Sequence, residues 1–307
     1  MSRALRVAVL GHGHMGRLHV AKLRAHGAGG EPPRNAPPDA ARSPVEVCIV
    51  DPALGLTAEL SNIDAAIVAT PTATHAALAL ELLARGVPCL VEKPLAATLD
   101  EARALAAFPH VAVGHVERFN PAFSAVGALD ARFVQAERVG TWTPRGTDVD
   151  VVLDLMIHDL DLFLHLVGEP VADVRANGVA IATGGYDLAH ARVETVSGRV
   201  GTFTASRLAR QPSRKWRVFG DGAYVSIDLK DRVAARVGWG GGGLVEERVE
   251  VPVRDPLGDE VAAFLAAVRG EGPYVVPGTD GLRALELAFR IRDAIAASSG
   301  ALSGRAP

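Results

Sequence analysis

The 307-residue chain contains few aromatic residues, few cysteines and no excess of positive charge. Aromatic residues make up 5% of the chain while 49% of it is hydrophobic, so the core is expected to consist mainly of Ala, Val and Leu. The formal net charge of −3 gives no reason to expect binding to nucleic acid or to an anionic membrane. No apolar run reaches membrane-spanning length without a charge or a helix breaker. These absences argue against nucleic-acid-binding and membrane proteins.

The two cysteines also narrow the class of protein. Cys48 and Cys89 lie in apolar runs that are typical of strands, which predicts buried thiols in a reducing compartment. The N-terminal segment MSRALRVAVLG is too short and too strand-like for a signal peptide. We therefore expect a cytoplasmic globular protein that is long enough for two domains.

In residues 1–118, short apolar runs alternate with helical patterns. The runs are LRVAVLG, VEVCIVD, DAAIVATP, VPCLVEKP and VAVGHVERF, and the segments MGRLHVAKLRAHG, THAALALELLARG and LDEARALAAF lie between them. Strands that alternate with helices indicate an α/β domain with a parallel sheet covered by helices on both faces.

From residue 119 to residue 307 the pattern changes. After a first helix, strand-like runs follow one another: VADVRANGVAIATG, YDLAHARVETVSG, RVGTFTASRL, KWRVFGDGAYVSIDL, RVAARVGWG and LVEERVEVPV. Several alternate apolar with polar residues, as an antiparallel sheet with one covered face does. Two helices, DPLGDEVAAFLAAVRG and GTDGLRALELAFRIRDAIAAS, close this α+β domain.

A glycine motif follows the first strand. The segment VAVLGHGHMG places Gly11, Gly13 and Gly16 between that strand and a helix. The first glycine permits a tight turn, the second lets the backbone approach a pyrophosphate, and the third lets the helix pack on the strand. The free N–H groups at the start of the helix then face the phosphates. This Rossmann-like turn, including His14 and Met15, is predicted to bind a dinucleotide.

Further candidate cofactor ligands follow the next two strands. Asp51 ends the second strand, where an acid accepts hydrogen bonds from the adenosine ribose and favours NAD over NADP. A Pro-rich loop explains its long separation from the glycines. The third strand ends in ATPTATH, and ligands of open α/β sheets bind along this carboxyl edge. The residues concerned are Thr70, Pro71, Thr72 and His75. For His75, a helix-start residue without a ligand role is an equal alternative.

The fourth strand ends in VEKP, which places Glu92 and Lys93 at the same edge, where a nicotinamide should lie. A lysine there can donate a hydrogen bond to a developing alkoxide, or act as a base if its pKa is lowered. The alternative, a solvent-facing lysine, agrees less well with the buried strand and the proline on either side.

The apolar segment DVVLDLMIHDLDLFLHLVG, residues 150–168, carries short titratable side chains. Asp154, His158, Asp161 and His165 step by four, three and four residues, so they share one stripe of a helix. The remaining surface, apart from Asp159, is almost all apolar, which is typical of a buried helix. Three interpretations are open: a solvated stripe, a catalytic wall with an Asp–His pair one turn apart, or a metal site.

Taken together, these segments resemble the Gfo/Idh/MocA family of sugar and cyclitol dehydrogenases. The matching segments are GHGHMGRLH, ATPTATH, EKP, GHVERFNPA, DLMIHDLDL, GTFTASR, RVFGDGAYVSIDL and TDGLRALELA, in family order over nearly the whole chain. The resemblance implies a dinucleotide-binding domain followed by a large, open, mostly antiparallel sheet. It also implies NAD as cofactor, no metal, and catalysis by Lys93, Asp154 and His158 in a cleft between the domains. His158 would be the general base, and Asp154 would orient the substrate and the imidazole.

Two segments, GHVERFNPA and DLMIHDLDL, look most like the branch of the family that oxidises UDP-N-acetylglucosamine to its 3-keto derivative for amino-sugar and lipid A precursor synthesis. The first segment places Glu117, Arg118 and Asn120 near a bound sugar, although Arg118 is equally expected to be a structural ion-pair partner. Arg207 is a candidate for holding the substrate diphosphate. The alternative for its segment, SRLARQPSRKWR, is a solvated hairpin turn.

Other functions remain open at this point. They are a dehydrogenase of a free sugar or inositol, a cofactor-binding regulator without catalysis, and a metal protein built on the polar stripe. The catalytic trio argues against the regulator. One feature favours the regulator, namely the short segment PALGLTAELSNID. This segment lacks room for an extra strand that family members carry, and the loss of that strand bears on cofactor affinity. A second copy of the chain is the expected partner, as a homodimer or homotetramer, since a large open sheet exposes an apolar face.

Overall fold

The computed structural model describes residues 3–27, 44–50, 60, 62–127, 129–143 and 149–303. Asp51, the predicted ribose ligand, and most of the short segment after it lie outside these ranges. The described residues form two compact units, Met1–Phe119 with Arg254–Leu282, and Asn120–Val253 with Arg283–Pro307.

Local sequence signals mark where several of the helices begin and end. In chain order they are α1 (His14–Gly27), α2 (His75–Ala84), α3 (Leu99–Ala106), α4 (Ile157–Val167), α5 (Pro256–Val268) and α6 (Gly278–Ser303). Helix α3 begins with a capping box in which the backbone N–H of Glu101 donates to Thr98 Oγ1 and that of Thr98 donates to Glu101 Oε2. Helix α4 ends at Gly168 in the left-handed conformation. Within the described ranges, every helix is too short or too polar to traverse a bilayer.

The first unit contains a parallel sheet. Its described strands are β1 (Leu5–Leu10), β2 (Val45–Val50), β3 (Ala65–Val68), β4 (Cys89–Glu92) and β5 (Val111–Gly114), in the order β2-β1-β3-β4-β5. Strands β3, β4 and β5 are buried along their whole length, as expected for a sheet with covered faces. The strand order reverses between β1 and β3, and ligands of such sheets bind at the carboxyl ends of the strands beside this point. The predicted α/β architecture is confirmed.

Helix α5 and the start of α6 group with this first unit, whereas the predicted division at residue 119 assigns them to the second domain. Phe264 and Leu265 of α5 share one hydrophobic core with Leu23 of α1. The backbone N–H of Val113 in β5 donates to the carbonyl oxygen of Val276 at 2.9 Å. The apolar face of α5 is therefore buried against the first sheet, which sequence order alone does not reveal.

The second unit contains the predicted large, mostly antiparallel sheet. Its strands are β6 (Phe133–Val139), β7 (Val171–Val179), β8 (Leu188–Thr195), β9 (Val200–Ser206), β10 (Ser213–Gly220), β11 (Ala223–Asp228), β12 (Val233–Gly240) and β13 (Gly243–Val249). The order is β13-β12-β11-β10-β6-β9-β8-β7, and the β6–β9 pair is parallel. Strand β6 was not predicted, and the run KWRVFGDGAYVSIDL is two strands joined by a tight turn at Gly222, whose φ is +69°.

A buried ion pair ties α4 to this sheet. The Nε and one terminal nitrogen of Arg138, on β6, donate to the two carboxylate oxygens of Asp159 at 2.9 Å each. The indole N–H of Trp216, on β10, donates to the same carboxylate at 2.8 Å. The three residues are 3%, 2% and 0% exposed. Asp159, the acid outside the polar stripe, therefore has a structural role.

Replacing Asp159 by Ala should lower the free energy of unfolding by about 3–5 kcal/mol, because it leaves the charge of Arg138 buried without its partner. Urea denaturation measures this change. The matched control is Asp173→Ala, which removes one member of the exposed Asp173–Arg175 pair and should cost less than about 1 kcal/mol. Equal losses in the two variants would contradict the assignment.

Candidate active site

The glycine turn has the steric character of a dinucleotide site. A Cβ on Gly11 would lie 2.7 Å from the carbonyl oxygen of Ala69, and one on Gly16 would lie 1.9 Å from the carbonyl oxygen of Gly11. No described atom lies within 4 Å of a Cβ on Gly13. The fold itself therefore requires the first and third glycines, while Gly13 leaves the open space that an approaching pyrophosphate needs.

The other predicted cofactor ligands lie where the chain order placed them. His14 is exposed and Met15 half-buried in the first turn of α1. Thr70 and Pro71 follow β3 and lead into a short 3-10 helix, Thr72–Thr74. At this carboxyl edge of the sheet, Pro71 is exposed and Thr70 and Thr72 are half-buried. Their contacts with a cofactor remain predictions.

His75 makes structural contacts with the backbone. It is buried, with Nδ1 2.9 Å from the carbonyl oxygen of Pro94 and Nε2 2.8 Å from that of Thr70. Because backbone carbonyl groups lie beside both ring nitrogens, the contacts favour the alternative of a helix-start residue without a ligand role. The imidazole ties the loop after β3 to the loop after β4, which carries Lys93.

Both carboxylate oxygens of Glu92 also have hydrogen-bond partners within the protein. Its Oε1 lies 2.7 Å from Nε2 of His19, and its Oε2 accepts the backbone N–H of Lys93 at 3.2 Å. Burial opposes its negative charge, yet the hydrogen bond from His19 and the charge of Lys93 hold the pKa of Glu92 below its ordinary value. These contacts give the carboxylate a structural role, and its contact with the cofactor stays a prediction. The half-buried Lys93 is the candidate for chemistry.

A third buried titratable group, Glu260 of α5, lies beside this pair. One ligand atom each from His19, Glu92 and Glu260 lie within 4.8 Å of one another. Among the described residues, neither carboxyl oxygen of Glu260 has a hydrogen-bond partner. Burial, and then the negative charge of Glu92, raise the pKa of Glu260 well above its ordinary value.

Sequence reasoning missed both His19 and Glu260. A signal was present for each. His19 belongs to the motif GHGHMGRLH, and Glu260 is an acid one turn before Phe264 on the buried face of α5. Neither signal indicates the partner, because Glu92 and Glu260 are far apart along the chain.

The candidates of the second unit begin in an unusual helical turn. Residues Val152–Met156 form a π-helical turn that runs into α4 without a break. Asp150 caps this turn, since its Oδ1 accepts the backbone N–H groups of Val152 and Leu153 at 3.0 and 3.2 Å. Single π-helical turns occur frequently at functional sites, and Asp154 lies inside this one.

The four residues of the polar stripe have different environments. Asp154 and His158 are half-buried, Asp161 is 1% exposed, and His165 is exposed beside the ring of Phe123 at 6.3 Å. A fully solvated stripe is therefore excluded. Asp154 and His158 remain the pair with the partial access that an acid–base role requires.

Two of the predicted sugar ligands have structural partners. Arg118 donates to Asp280 at 2.8 Å, and its side chain is 3% exposed. Asn120 donates through Nδ2 to the carbonyl oxygen of Leu229 at 2.8 Å and accepts the N–H of Ala122 at 3.1 Å. Both residues therefore have structural contacts, which for Arg118 agree with the ion-pair alternative, and their contacts with a sugar stay predictions. Glu117 is buried as well, at 4% exposure.

Arg207 is buried rather than part of a solvated turn. Its guanidinium donates to the carbonyl oxygen of Val149 at 2.7 Å and lies 3.9 Å from Asp187. Although burial opposes the charge of Asp187, backbone hydrogen bonds from Ala182 and Ile181 and contacts with Thr183 hold its pKa well below the ordinary value. These contacts favour a structural role for Arg207 in place of the predicted diphosphate contact. The other basic residues of the segment, Arg210, Arg214, Lys215 and Arg217, are exposed.

Comparison with known proteins assigns the family. Residues 5–109 match the model of the Gfo/Idh/MocA oxidoreductase family with its NAD-binding Rossmann fold, and residues 99–226 match the C-terminal domain of the same family. The chain is 36% identical over 308 residues to UDP-N-acetylglucosamine 3-dehydrogenase from Acidithiobacillus ferrooxidans, covering 95% of this chain and 98% of that protein. The chain belongs to the Gfo/Idh/MocA family.

Solved structures and further relatives agree with this assignment. The structure of the Acidithiobacillus ferrooxidans enzyme superposes with a TM-score of 0.84 at 32% identity, covering 96% of this chain and 99% of that one. Inositol 2-dehydrogenase 4 from Saccharopolyspora erythraea is 29% identical over 266 residues, 78% of this chain and 79% of that protein. Levoglucosan dehydrogenase in complex with NADH, at 19% identity and a TM-score of 0.80, covers 96% of this chain and 97% of that one and shows the common fold.

The predictions of fold, family and cofactor are thus confirmed: the Gfo/Idh/MocA chain is an NAD-dependent dehydrogenase. The described residues fit NAD, because the space above Gly13 and the free N–H groups at the start of α1 would receive its pyrophosphate.

Gly13→Ala and Gly16→Ala should separate cofactor binding from folding. A methyl group on Gly16 meets the backbone of Gly11 and should cost at least about 2 kcal/mol of stability without any cofactor. A methyl group on Gly13 should leave that stability within about 0.5 kcal/mol but weaken NAD binding roughly 10- to 100-fold. Urea denaturation and calorimetric titration with NAD measure the two effects. An unchanged NAD affinity of Gly13→Ala would remove the turn from the cofactor site.

Proposed function

We propose that this protein oxidises the 3-hydroxyl of UDP-N-acetylglucosamine, with NAD as the oxidant. The observation that carries the proposal is the 36% identity to an enzyme of that name over 95% of this chain. The segments GHVERFNPA and DLMIHDLDL, which suggested the same branch of the family, support it. The 3-keto product is the type of compound that an aminotransferase converts to an amino sugar, as in the synthesis of lipid A precursors.

Three side chains of this chain carry the proposed reaction. NAD, when bound, supplies the acceptor for the hydride of the substrate. His158 accepts the proton of the substrate hydroxyl as general base. Lys93 donates a hydrogen bond that stabilises the negative charge growing on that oxygen. Asp154, one turn before His158, orients the imidazole and the sugar. Partial burial of all three agrees with these roles.

His158→Ala should lower kcat roughly 10²- to 10⁴-fold, the range for loss of a general base. Lys93→Met should be comparably harmful, because it removes the donor to the alkoxide. His165→Ala is the matched control, since this exposed imidazole lies on the same helix. Steady-state kinetics measure the effects. If His158→Ala keeps near-normal turnover, the base is a different group and Lys93 becomes the candidate.

A second candidate function is the oxidation of inositol or of a free sugar. Inositol 2-dehydrogenases are among the relatives, at 29% identity over 78% of this chain in one case. Their lower identity and coverage favour the nucleotide sugar.

The substrate is tested by comparing UDP-N-acetylglucosamine, free hexoses and inositol with NAD. Alcohol oxidation by NAD is unfavourable near neutral pH, so the assay includes an aminotransferase with an amino donor that removes the ketone. We expect turnover with the UDP-sugar and little with the others. Turnover with inositol or a free hexose alone would contradict the proposed substrate and leave the family assignment intact. A parallel titration with NADP tests the proposed preference of Asp51 for NAD.

We also propose a homodimer or homotetramer that forms through the second sheet, in the cytoplasm. Exposed apolar side chains on its strands support self-association, among them Val179, Leu188 and Val233. The free thiols Cys48 and Cys89 agree with a reducing compartment. Analytical ultracentrifugation measures the mass of the assembly, and a monomer at micromolar concentration would contradict it.

A further inference from the structure

Three buried side chains of the first unit form a cluster, and one of them, Glu92, contacts the backbone of Lys93. His19 comes from α1, Glu92 from the end of β4 and Glu260 from α5, and they are 0%, 6% and 2% exposed. One ligand atom of each lies within 4.8 Å of the others. Water cannot screen charges at this depth, so the protons of the three groups must be arranged within the cluster.

The hydrogen bonds indicate where these protons lie. Glu92 accepts from Nε2 of His19 at 2.7 Å and from the N–H of Lys93 at 3.2 Å, so it uses both oxygens as acceptors. Because the pKa of Glu92 is held below its ordinary value, we assign this group as the carboxylate and place the proton of the contact on Nε2. In the described part of the chain neither oxygen of Glu260 has a hydrogen-bond partner, and a second negative charge there would lie unbalanced beside the first.

We propose that His19, Glu92 and Glu260 act together to keep a single negative charge beside Lys93, with Glu260 present as the uncharged carboxylic acid. The three are positioning residues, since they act on the reaction through the backbone and the charge of Lys93. The kinetic consequence rests on the role of Lys93 in the proposed function, whereas the protonation of Glu260 does not.

A divalent metal ion is the competing occupant, because one His and two Glu side chains can bind zinc. The short His19–Glu92 contact argues against it, since Nε2 already uses its proton there.

Three charged groups on the elements around Glu260 form ion pairs with other acids. Lys22 of α1 pairs with Asp255 at 2.7 Å, Arg118 pairs with Asp280 at 2.8 Å, and Arg254 pairs with Asp259 at 2.8 Å. Burial raises the pKa of the Cys89 thiol to about 12 and also raises the pKa of Tyr274, so both are uncharged near neutral pH. The remaining titratable groups are His14, Arg17, Arg24 and His26 on α1, His115 and Glu117 after β5, and Arg269 at the end of α5.

Infrared difference spectroscopy tests the protonation without any substrate. The spectrum of the wild-type protein minus that of Glu260→Gln at pH 7 should show the C=O band of a protonated carboxyl group. A carboxylate band in its place would overturn the proposal. A stoichiometric metal ion in the purified protein that is lost in Glu260→Gln would also overturn it, because metal binding requires an ionised Glu260.

Kinetics with the substrate that turns over test the positioning role. Glu260→Ala should lower kcat roughly 10- to 100-fold by displacing Lys93, with little change in the KM for NAD. Glu260→Gln, which is uncharged and of the same size, should recover most of the loss. It should also lack the alkaline fall in kcat that ionisation of Glu260 causes in the wild type. Glu271→Ala, at an exposed acid beyond α5, is the control.

Equal losses in Glu260→Ala and Glu260→Gln, or an unchanged alkaline fall in Glu260→Gln, would overturn the positioning role. If Glu260→Ala does not fold, Glu260→Met fills the same volume and replaces it in the comparison. Because the infrared measurement needs no turnover, a wrong substrate leaves the protonation of Glu260 fully testable.

Discussion

The hydrogen bond between His19 and Glu92 joins the segment of the first unit that carries the glycine turn to the segment that carries Lys93. Helix α1 begins at the glycine turn, and β4 ends at Lys93, so this one buried contact fixes the phosphate-binding segment relative to the lysine. Loss of either partner would leave a buried charge or dipole unsatisfied, which costs several kcal/mol. On the other side of Lys93, His75 holds the carbonyl group of Pro94. The lysine is therefore constrained through both of its neighbours in the chain.

In the second unit, too, a buried polar contact fixes the position of an element that carries candidate site residues. Helix α4 is so apolar that it must be buried, and Asp159 binds it to the sheet through Arg138 and Trp216. This contact fixes the rotation of the helix about its axis. Asp154 and His158 are then left half-buried, at the level of exposure that allows proton transfer yet limits competition from water. Of the acids in this apolar helix, Asp159 has a structural role, whereas Asp154 has the partial exposure that the proposed reaction needs.

The fold of the first unit and its glycine turn could be predicted from the sequence. Continuous Val and Ile runs and the spacing of Gly11, Gly13 and Gly16 specify the first sheet and its turn, because both depend on local patterns. Strand β6 escaped prediction because one of its buried positions holds Arg138 and one of its exposed positions holds Phe133, which obscures the alternation of apolar and polar residues. The π-helical turn has no sequence signature. Contacts such as those of Glu260, Arg118 and Asn120 join residues far apart in the chain, and a single sequence gives their residue types without their partners.

The most direct measurement of the central claim follows the transferred hydrogen itself. UDP-N-acetylglucosamine that carries deuterium at C3 of the sugar is incubated with the protein and NAD, and the reduced cofactor is analysed by mass spectrometry. The proposed reaction predicts deuterium in the nicotinamide ring, and a slower rate than with the unlabelled sugar if hydride transfer limits turnover. Reduced cofactor without deuterium would show that the hydride comes from another position, and would contradict oxidation at the 3-hydroxyl.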